Sequence, residues 1–254
     1  MGERTAHAPG TPSWVDLGVA DVDRAIAFYS ALLGWEVESM GPEAGGYAMA
    51  RLGGRAVAGL GPAQDPGPPR WTTYITVADV EASVAAVTEA GGSVIVPAMD
   101  VMTAGRMAVV ADPVGAAFSL WQPRDSIGAE LVNVPGALCW NELNAQSLDK
   151  VLDFYAAVFG WTYDGTPADG YVQFRLGDRT IGGMLPTDQM PDIPNHWAVY
   201  FAVANHDEAL ATVKSLGGSA MVESQNAEGV GTFSVVADDQ GASFCIIELL
   251  NADD

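Results

Sequence analysis

The chain has 254 residues, 49% of them apolar, enough to fill one large core or two ordinary ones and to exclude extensive disorder. Its formal charge of −21, from 32 acidic against 11 basic residues, repels phosphate backbones and anionic headgroups, so neither nucleic acid nor a membrane surface is an expected partner. No run of about 18 apolar residues occurs and residues 1–12 lack the apolar stretch of a secretory signal, so a cytoplasmic location is expected.

The alternating run WVDLGV (14–19) predicts a strand. Asp21 then caps a helix that carries Val22, Ile26, Tyr29 and Leu33 on one stripe and stops at Gly34. Strands are expected near 35–39, 47–52 and 56–60, separated by glycine-rich turns. The order repeats with a strand over TTYITV (72–77), Asp79 as cap, a helix over 80–90 ended by Gly91, and strands near Val94, 107–111 and 117–121. Residues 122–135, with scattered charges, Gly128 and two prolines, read as a linker over the surface.

Beyond it the whole pattern recurs. FYSALLGW (28–35) returns 126 residues on as FYAAVFGW (154–161). In the same register RWTTYITVAD (70–79) returns as HWAVYFAVAN (196–205), AGG (90–92) as LGG (216–218), and VVADPVGAAF (109–118) as VVADDQGASF (235–244). GYAMARLGGR (46–55) returns as GYVQFRLGDR (170–179), two residues out of that register, a difference that loops absorb. In the second copy Ser147 and Asn205 take the cap positions, Asn205 with Glu208 as a capping-box candidate. The expected fold class is α+β: four βαβββ modules in two tandem domains over 13–123 and 138–250, with a tail 1–12, a linker 124–137 and a tail 251–254. Cys139 and Cys245 lie in apolar strand-like runs without metal-type spacing and read as free thiols, not a disulfide.

A strand of form h-x-h-x-V-x-D that opens a helix ending FYxxxLGW, followed by a DPxG hairpin, resembles the vicinal oxygen chelate superfamily of glyoxalases, bleomycin-resistance proteins and dioxygenases. The resemblance covers nearly all of 13–250 and implies that paired modules, within or across the copies, curl a mixed sheet into a cup for a small ligand with helices outside. It also implies metal-ligand positions: a His seven residues before each helix cap and a Glu seven after the DPxG Asp. Those positions hold Trp14, Thr72 and Ser119 in the first copy and Trp140, Ala198 and Cys245 in the second, not the converging imidazole and carboxylate a metal needs. His7 in the tail, His196 at a strand start and His206 at a helix start stand apart, so no metal and no other cofactor is expected.

Strand side chains alternate faces, so residues sharing the parity of the vacant positions should line the cups. These are Trp14, Asp16 and Gly18, Thr72, Tyr74 and Thr76, then Ala117, Ser119 and Trp121 in one cup. In the other they are Trp140, Glu142 and Asn144, His196, Ala198, Tyr200 and Ala202, then Ser243, Cys245 and Ile247. Val15, Leu17, Val19, Ile75, Val77, Val199, Phe201 and Val203, with Trp71 and Trp197, face the helices as core. Each cup combines large rings with one acid. Rings with a few placed polar groups suit an aromatic small molecule, although the same rings could simply plug the cups. An acid in such a place has its pKa raised unless paired, and Arg51, Arg55, Arg175 and Arg179 are the candidate partners.

Three readings follow. The first is a metal-free binding protein, drug-sequestering or accessory to biosynthesis, similar to bleomycin-resistance-type proteins and to glyoxalase-like proteins of anthracycline and other aromatic polyketide pathways. Its ligand would be aromatic, with or without an amine, held by Trp14, Asp16, Thr72, Tyr74, Ser119, Trp121, Trp140, Glu142, Asn144, His196, Tyr200 and Cys245. A pathway enzyme whose product it binds would be its protein partner, and monomer and homodimer both fit. The second is a metal-independent isomerase, cyclase or lyase, or one of the similar proteins labelled hydroxylases, with Asp16 or Glu142 as general base. The third is a glyoxalase-like metalloenzyme with unusual ligands. No Ser/His/Asp arrangement, phosphate-cradling glycine loop or dinucleotide fingerprint is legible, which disfavours hydrolase, kinase and NAD-dependent chemistry.

Overall fold

A computed structural model describes residues 2–64, 67–166, 170–190 and 192–250; the expected tail at 251–254 lies outside them. The first copy runs β1 (Pro12–Val19), α1 (Val22–Leu33), β2 (Glu36–Ser39), β3 (Ala48–Leu52), β4 (Arg55–Pro62), then β5 (Arg70–Thr76), α2 (Val80–Glu89), β6 (Ser93–Val101), β7 (Gly105–Ala111), β8 (Ala117–Pro123). The second runs β9 (Leu138–Ala145), α3 (Leu148–Phe159), β10 (Thr162–Asp164), β11 (Val172–Leu176), β12 (Arg179–Pro186), then β13 (His196–Ala202), α4 (His206–Ser215), β14 (Ser219–Ala227), β15 (Gly231–Ala237), β16 (Ser243–Leu249). These are four βαβββ modules. They pair within each copy, forming eight-stranded sheets ordered β2-β3-β4-β1-β5-β8-β7-β6 and β10-β11-β12-β9-β13-β16-β15-β14. The first strands of paired modules run antiparallel at the centre, and each lies parallel to the last strand of its own module. None of the described helices is long and apolar enough to cross a membrane.

Helix ends follow the sequence signals with one exception. Asp21, Asp79 and Asn205 each accept a hydrogen bond from a backbone N–H three residues on, and Gly34 closes α1 in the left-handed region at φ 73°. Ser147 instead sits at φ 59° and caps nothing with its side chain; its own N–H donates to Asp188 Oδ1 at 3.1 Å. We therefore expect Asn205→Ala to cost about 1 kcal/mol and Ser147→Ala almost nothing, as read from thermal unfolding. Equal losses would refute the capping assignment.

The buried stripe of α1 is Ala25, Phe28, Tyr29 and Leu33, whereas Val22 and Ile26 are half-buried. It is rotated from the expected stripe because the helix packs against the other copy as well as its own sheet. α1 lies against α4, α2 against α3, and β5 against β13. Both main cores are consequently shared: one joins Phe28, Trp35 and Trp71 to Phe201, Val213 and Phe244, the other joins Val87 and Phe118 to Phe154, Trp161 and Trp197. Two reciprocal chains lock the copies together. Trp71 Nε1 donates to the Tyr29 hydroxyl (3.1 Å), which donates to Asp238 Oδ2 (3.0 Å); Trp197 Nε1 donates to Tyr155 (3.0 Å), which donates to Asp112 Oδ2 (3.2 Å). Likewise Trp35 Nε1 reaches the Gly136 carbonyl at 2.7 Å and Trp161 Nε1 the Gly10 carbonyl at 2.8 Å.

The stretch expected to be a surface linker is ordered and partly buried. Ala129 N donates to the Ser13 carbonyl and Glu130 N to the Ala56 carbonyl, both at 2.8 Å, so the segment fills the gap where β1 and β4 diverge. The N-terminal tail is tied to it through Arg4 N to the Glu130 carbonyl and His7 Nε2 to the Ala129 carbonyl, each 2.8 Å. Gly128 is required there, since a side chain would meet the Ser13 backbone. Length and composition give no sign of this, because most of the hydrogen bonds are backbone to backbone.

Candidate functional site

The sheet faces away from the helices form the two cups. In cup 1 the β1/β5 register sets Trp14 opposite Tyr74 and Asp16 opposite Thr72, and the β5/β8 register sets Tyr74 beside Ser119. The Tyr74 hydroxyl donates to Asp16 Oδ2 at 2.7 Å. A second phenol, Tyr47 at the entry to β3, also donates to that carboxyl while accepting Trp14 Nε1 at 3.1 Å. Trp121 stands edge-on to Tyr74, centroids 6.3 Å apart, and its Nε1 donates to the Ser126 carbonyl at 3.0 Å.

Cup 2 repeats the arrangement. Trp140 is opposite Tyr200, Glu142 opposite Ala198, Asn144 opposite His196, and Tyr200 beside Cys245. Tyr200 donates to Glu142 Oε1 at 3.0 Å, Asn144 Nδ2 reaches the same oxygen at 3.4 Å, and Tyr171 donates to the carboxyl while accepting Trp140 Nε1 at 2.9 Å. His196 is at the margin with Nδ1 on the Pro194 carbonyl at 2.7 Å. Each cup therefore holds an indole N–H, a phenol relay, a carboxyl and a second phenol.

Tyr47 and Tyr171 do not emerge from parity on the central strands, because they stand at the entries to β3 and β11. A signal existed: Gly-Tyr recurs at 46–47 and 170–171, and Gly59 and Gly183 recur with the same offset. A methyl at either glycine would overlap the phenol lying over it, so the two residues form one device.

The arginine pairing expected for the acids does not occur. Arg51 lies near Glu38 (3.5 Å) and Glu130 (3.9 Å), Arg55 near Glu3 (3.2 Å) and Arg175 near Asp164 (3.0 Å), all at strand ends remote from the cup floors. Burial pushes the Asp16 carboxyl up to about 6, with the phenols of Tyr74 and Tyr47 pulling the other way. Burial likewise raises Glu142, against Tyr171, Tyr200 and Asn144. Each acid is thus held by neutral donors only.

The positions at which the resemblance would place metal ligands do fall together on the floors, but their donors do not fit a divalent cation. Trp14 offers an indole already tied to Tyr47, and Thr72 and Ser119 offer hydroxyls. In cup 2 Ala198 offers nothing, and burial and the Glu142 charge hold the Cys245 thiol protonated, where a thiolate would be needed. Among the described residues no three His, Cys, Asp or Glu side chains gather as a metal site. Both cysteines are free thiols. One Ser-His-Asp line does exist in space, with His206 between Ser234 (2.8 Å) and Asp207 (3.0 Å). Ser234 is fully buried and its oxygen accepts the Ser224 N–H, so the cluster packs α4 and presents no nucleophile.

Comparison with known proteins agrees with this architecture. Residues 11–120 match the profile of the Glyoxalase/Bleomycin resistance protein/Dioxygenase superfamily, and residues 140–247 that of a glyoxalase-like domain. The chain is 42% identical to the Mycobacterium tuberculosis protein named "Putative glyoxylase CFP32", covering 98% of both chains. It is 36% identical to the anthracycline biosynthesis protein DnrV of Streptomyces peucetius, covering 96% of this chain and 95% of that one. In fold it is similar to the Mn(II)-bound glyoxalase of Novosphingobium aromaticivorans (TM-score 0.67, 19% identity, 99% and 84% covered). It is also similar to the 2,3-dioxygenase LapB of Pseudomonas sp. KL28 (TM-score 0.68, 14% identity, 95% and 93% covered). With a matching domain in each half and whole-length relatives above 30% identity, the chain belongs to the glyoxalase/bleomycin resistance protein/dioxygenase superfamily as a tandem two-domain member.

Proposed function

We propose that this protein binds an aromatic small molecule in its acid-bearing cups without a metal, as an accessory or sequestering protein of aromatic natural-product chemistry. The observation that carries the reading is the indole, phenol, carboxyl, phenol unit built twice at the floor positions where relatives would carry ligands. Rings supply apolar burial and stacking, and an acid with only neutral partners is a seat for an amine. The relatives named for anthracycline biosynthesis support a planar polyketide, with or without an amino sugar, as ligand. The reading carries with it a cytoplasmic protein, monomeric or homodimeric, working beside the enzyme whose product it holds. Titration with an anthracycline carrying an amino sugar should quench tryptophan fluorescence saturably. Absence of quenching by a panel of such compounds, or stoichiometric zinc, iron, nickel or manganese in the purified protein, would overturn it.

A second reading is favoured by one observation. A carboxyl at about 6 is suited to general-base work near neutral pH, so Asp16 could move a proton in a metal-independent isomerisation or cyclisation. Turnover of a bound polyketide by the purified protein, abolished in Asp16→Asn with Glu142→Gln, would select this reading over pure binding.

A further inference from the structure

We infer that the two cups are unequal in use: cup 1, completed by the inter-copy segment, takes the ligand with an amine on Asp16, while cup 2, whose carboxyl is engaged by three protein donors, does not. The inference rests on the binding reading above and assigns it a place. Its first support is the wall. Residues 126–132 close one end of cup 1, where Ala129 is fully buried and Val132 packs against the cluster of Trp14, Tyr74 and Trp121. No described segment makes the equivalent backbone bonds at Cys139 and Thr180 of cup 2, where Trp140 is half-buried while Trp14 is 7% exposed.

The carboxyls differ in their partners. Asp16, beside Gly18 and Thr72, accepts from two phenols, leaving acceptor capacity on its oxygens. Glu142 is 8% exposed and takes three protein donors, the third being Asn144, which stands where cup 1 has Gly18. The cup 1 carboxyl thus keeps more acceptor capacity for an ammonium group than the cup 2 carboxyl.

The walls differ as well. Met49 on β3 and Met107 on β7 pack from opposite sides onto the cup 1 floor, where cup 2 has Gln173 and Phe233. Unbranched thioether chains re-pack around a planar guest at little cost, which a buried floor beneath a half-buried rim requires.

The full-length chain with its methionine methyls labelled with carbon-13 provides the test, using an amino-sugar anthracycline and its hydroxy-sugar analogue as probes. Saturating probe should shift the Met49 and Met107 signals, assigned through Met49→Leu and Met107→Leu. Asp16→Asn should weaken the amine probe about tenfold, more than Glu142→Gln does, while leaving the hydroxy probe within about twofold. Quenching with unshifted Met49 and Met107 signals, or loss of affinity in Glu142→Gln instead, would overturn the assignment to cup 1 and leave the binding reading standing. No quenching by either probe would overturn both.

Discussion

Separating the chain at its linker should leave neither half folded, and Trp161→Ala in the intact chain should lower stability by about 3–5 kcal/mol in one cooperative transition. Trp161 is 2% exposed, lies nearly parallel to Tyr155 with centroids 5.1 Å apart, and donates to the Gly10 carbonyl at the entry to the other copy's first strand. Deleting it opens a cavity among Phe159, Phe174 and Trp197 and strands that carbonyl. Because each core contains helix and strand residues from both copies, no half can bury its own apolar face. Expressed alone, residues 1–137 would expose Tyr29 and Trp71 and leave Tyr29 without its Asp238 acceptor. Calorimetry and near-ultraviolet dichroism decide the matter: two separable transitions, or a native aromatic signal from either half, would contradict the shared core.

This interlocking explains what was legible in the sequence. FYSALLGW and FYAAVFGW stood out because Tyr29, Trp35, Tyr155 and Trp161 each serve both their own module and the partner copy, a double constraint that fixes residue type. The same holds for Asp112 and Asp238, which accept two N–H groups of their own turn and one hydroxyl from across the interface. Strand parity sorted Val15, Leu17, Ile75 and Phe201 from Trp14, Tyr74 and Tyr200 correctly, since period two survives in central strands. It fails outside the central strands. Tyr47 lies just outside β3, and β6 runs for nine residues with register shifts on either side of Val96, so neither offers clean alternation. The acids' partners are not legible from charge, which points to arginine, because the cups supply uncharged phenols.

Removing those phenols should produce the second large effect. Asp16 titrates at about 6 in the folded chain against an ordinary 3.8, so the folded state holds its proton more tightly. The resulting stabilisation is fully present below the ordinary value and is lost as pH rises through about 6. Asp16→Asn should cancel this loss, so the wild type should fall relative to it across that window and run parallel above. Tyr47→Phe with Tyr74→Phe strips both donors from the ionised carboxyl, each worth about 1.5–3 kcal/mol to a charged acceptor. The double variant should therefore carry its loss to higher pH than the wild type and be hurt far more near pH 8 than near pH 4. Thermal unfolding of the three proteins over that range provides the check, with Asp16→Asn as the reference that removes the other carboxylates from the comparison. Parallel curves for the double variant and the wild type would show that the phenols do not hold the charge. The same sign governs a cationic ligand: its attraction needs the ionised carboxyl, so affinity for an amine probe should rise with pH through about 6, whereas a hydroxy probe should show no such rise.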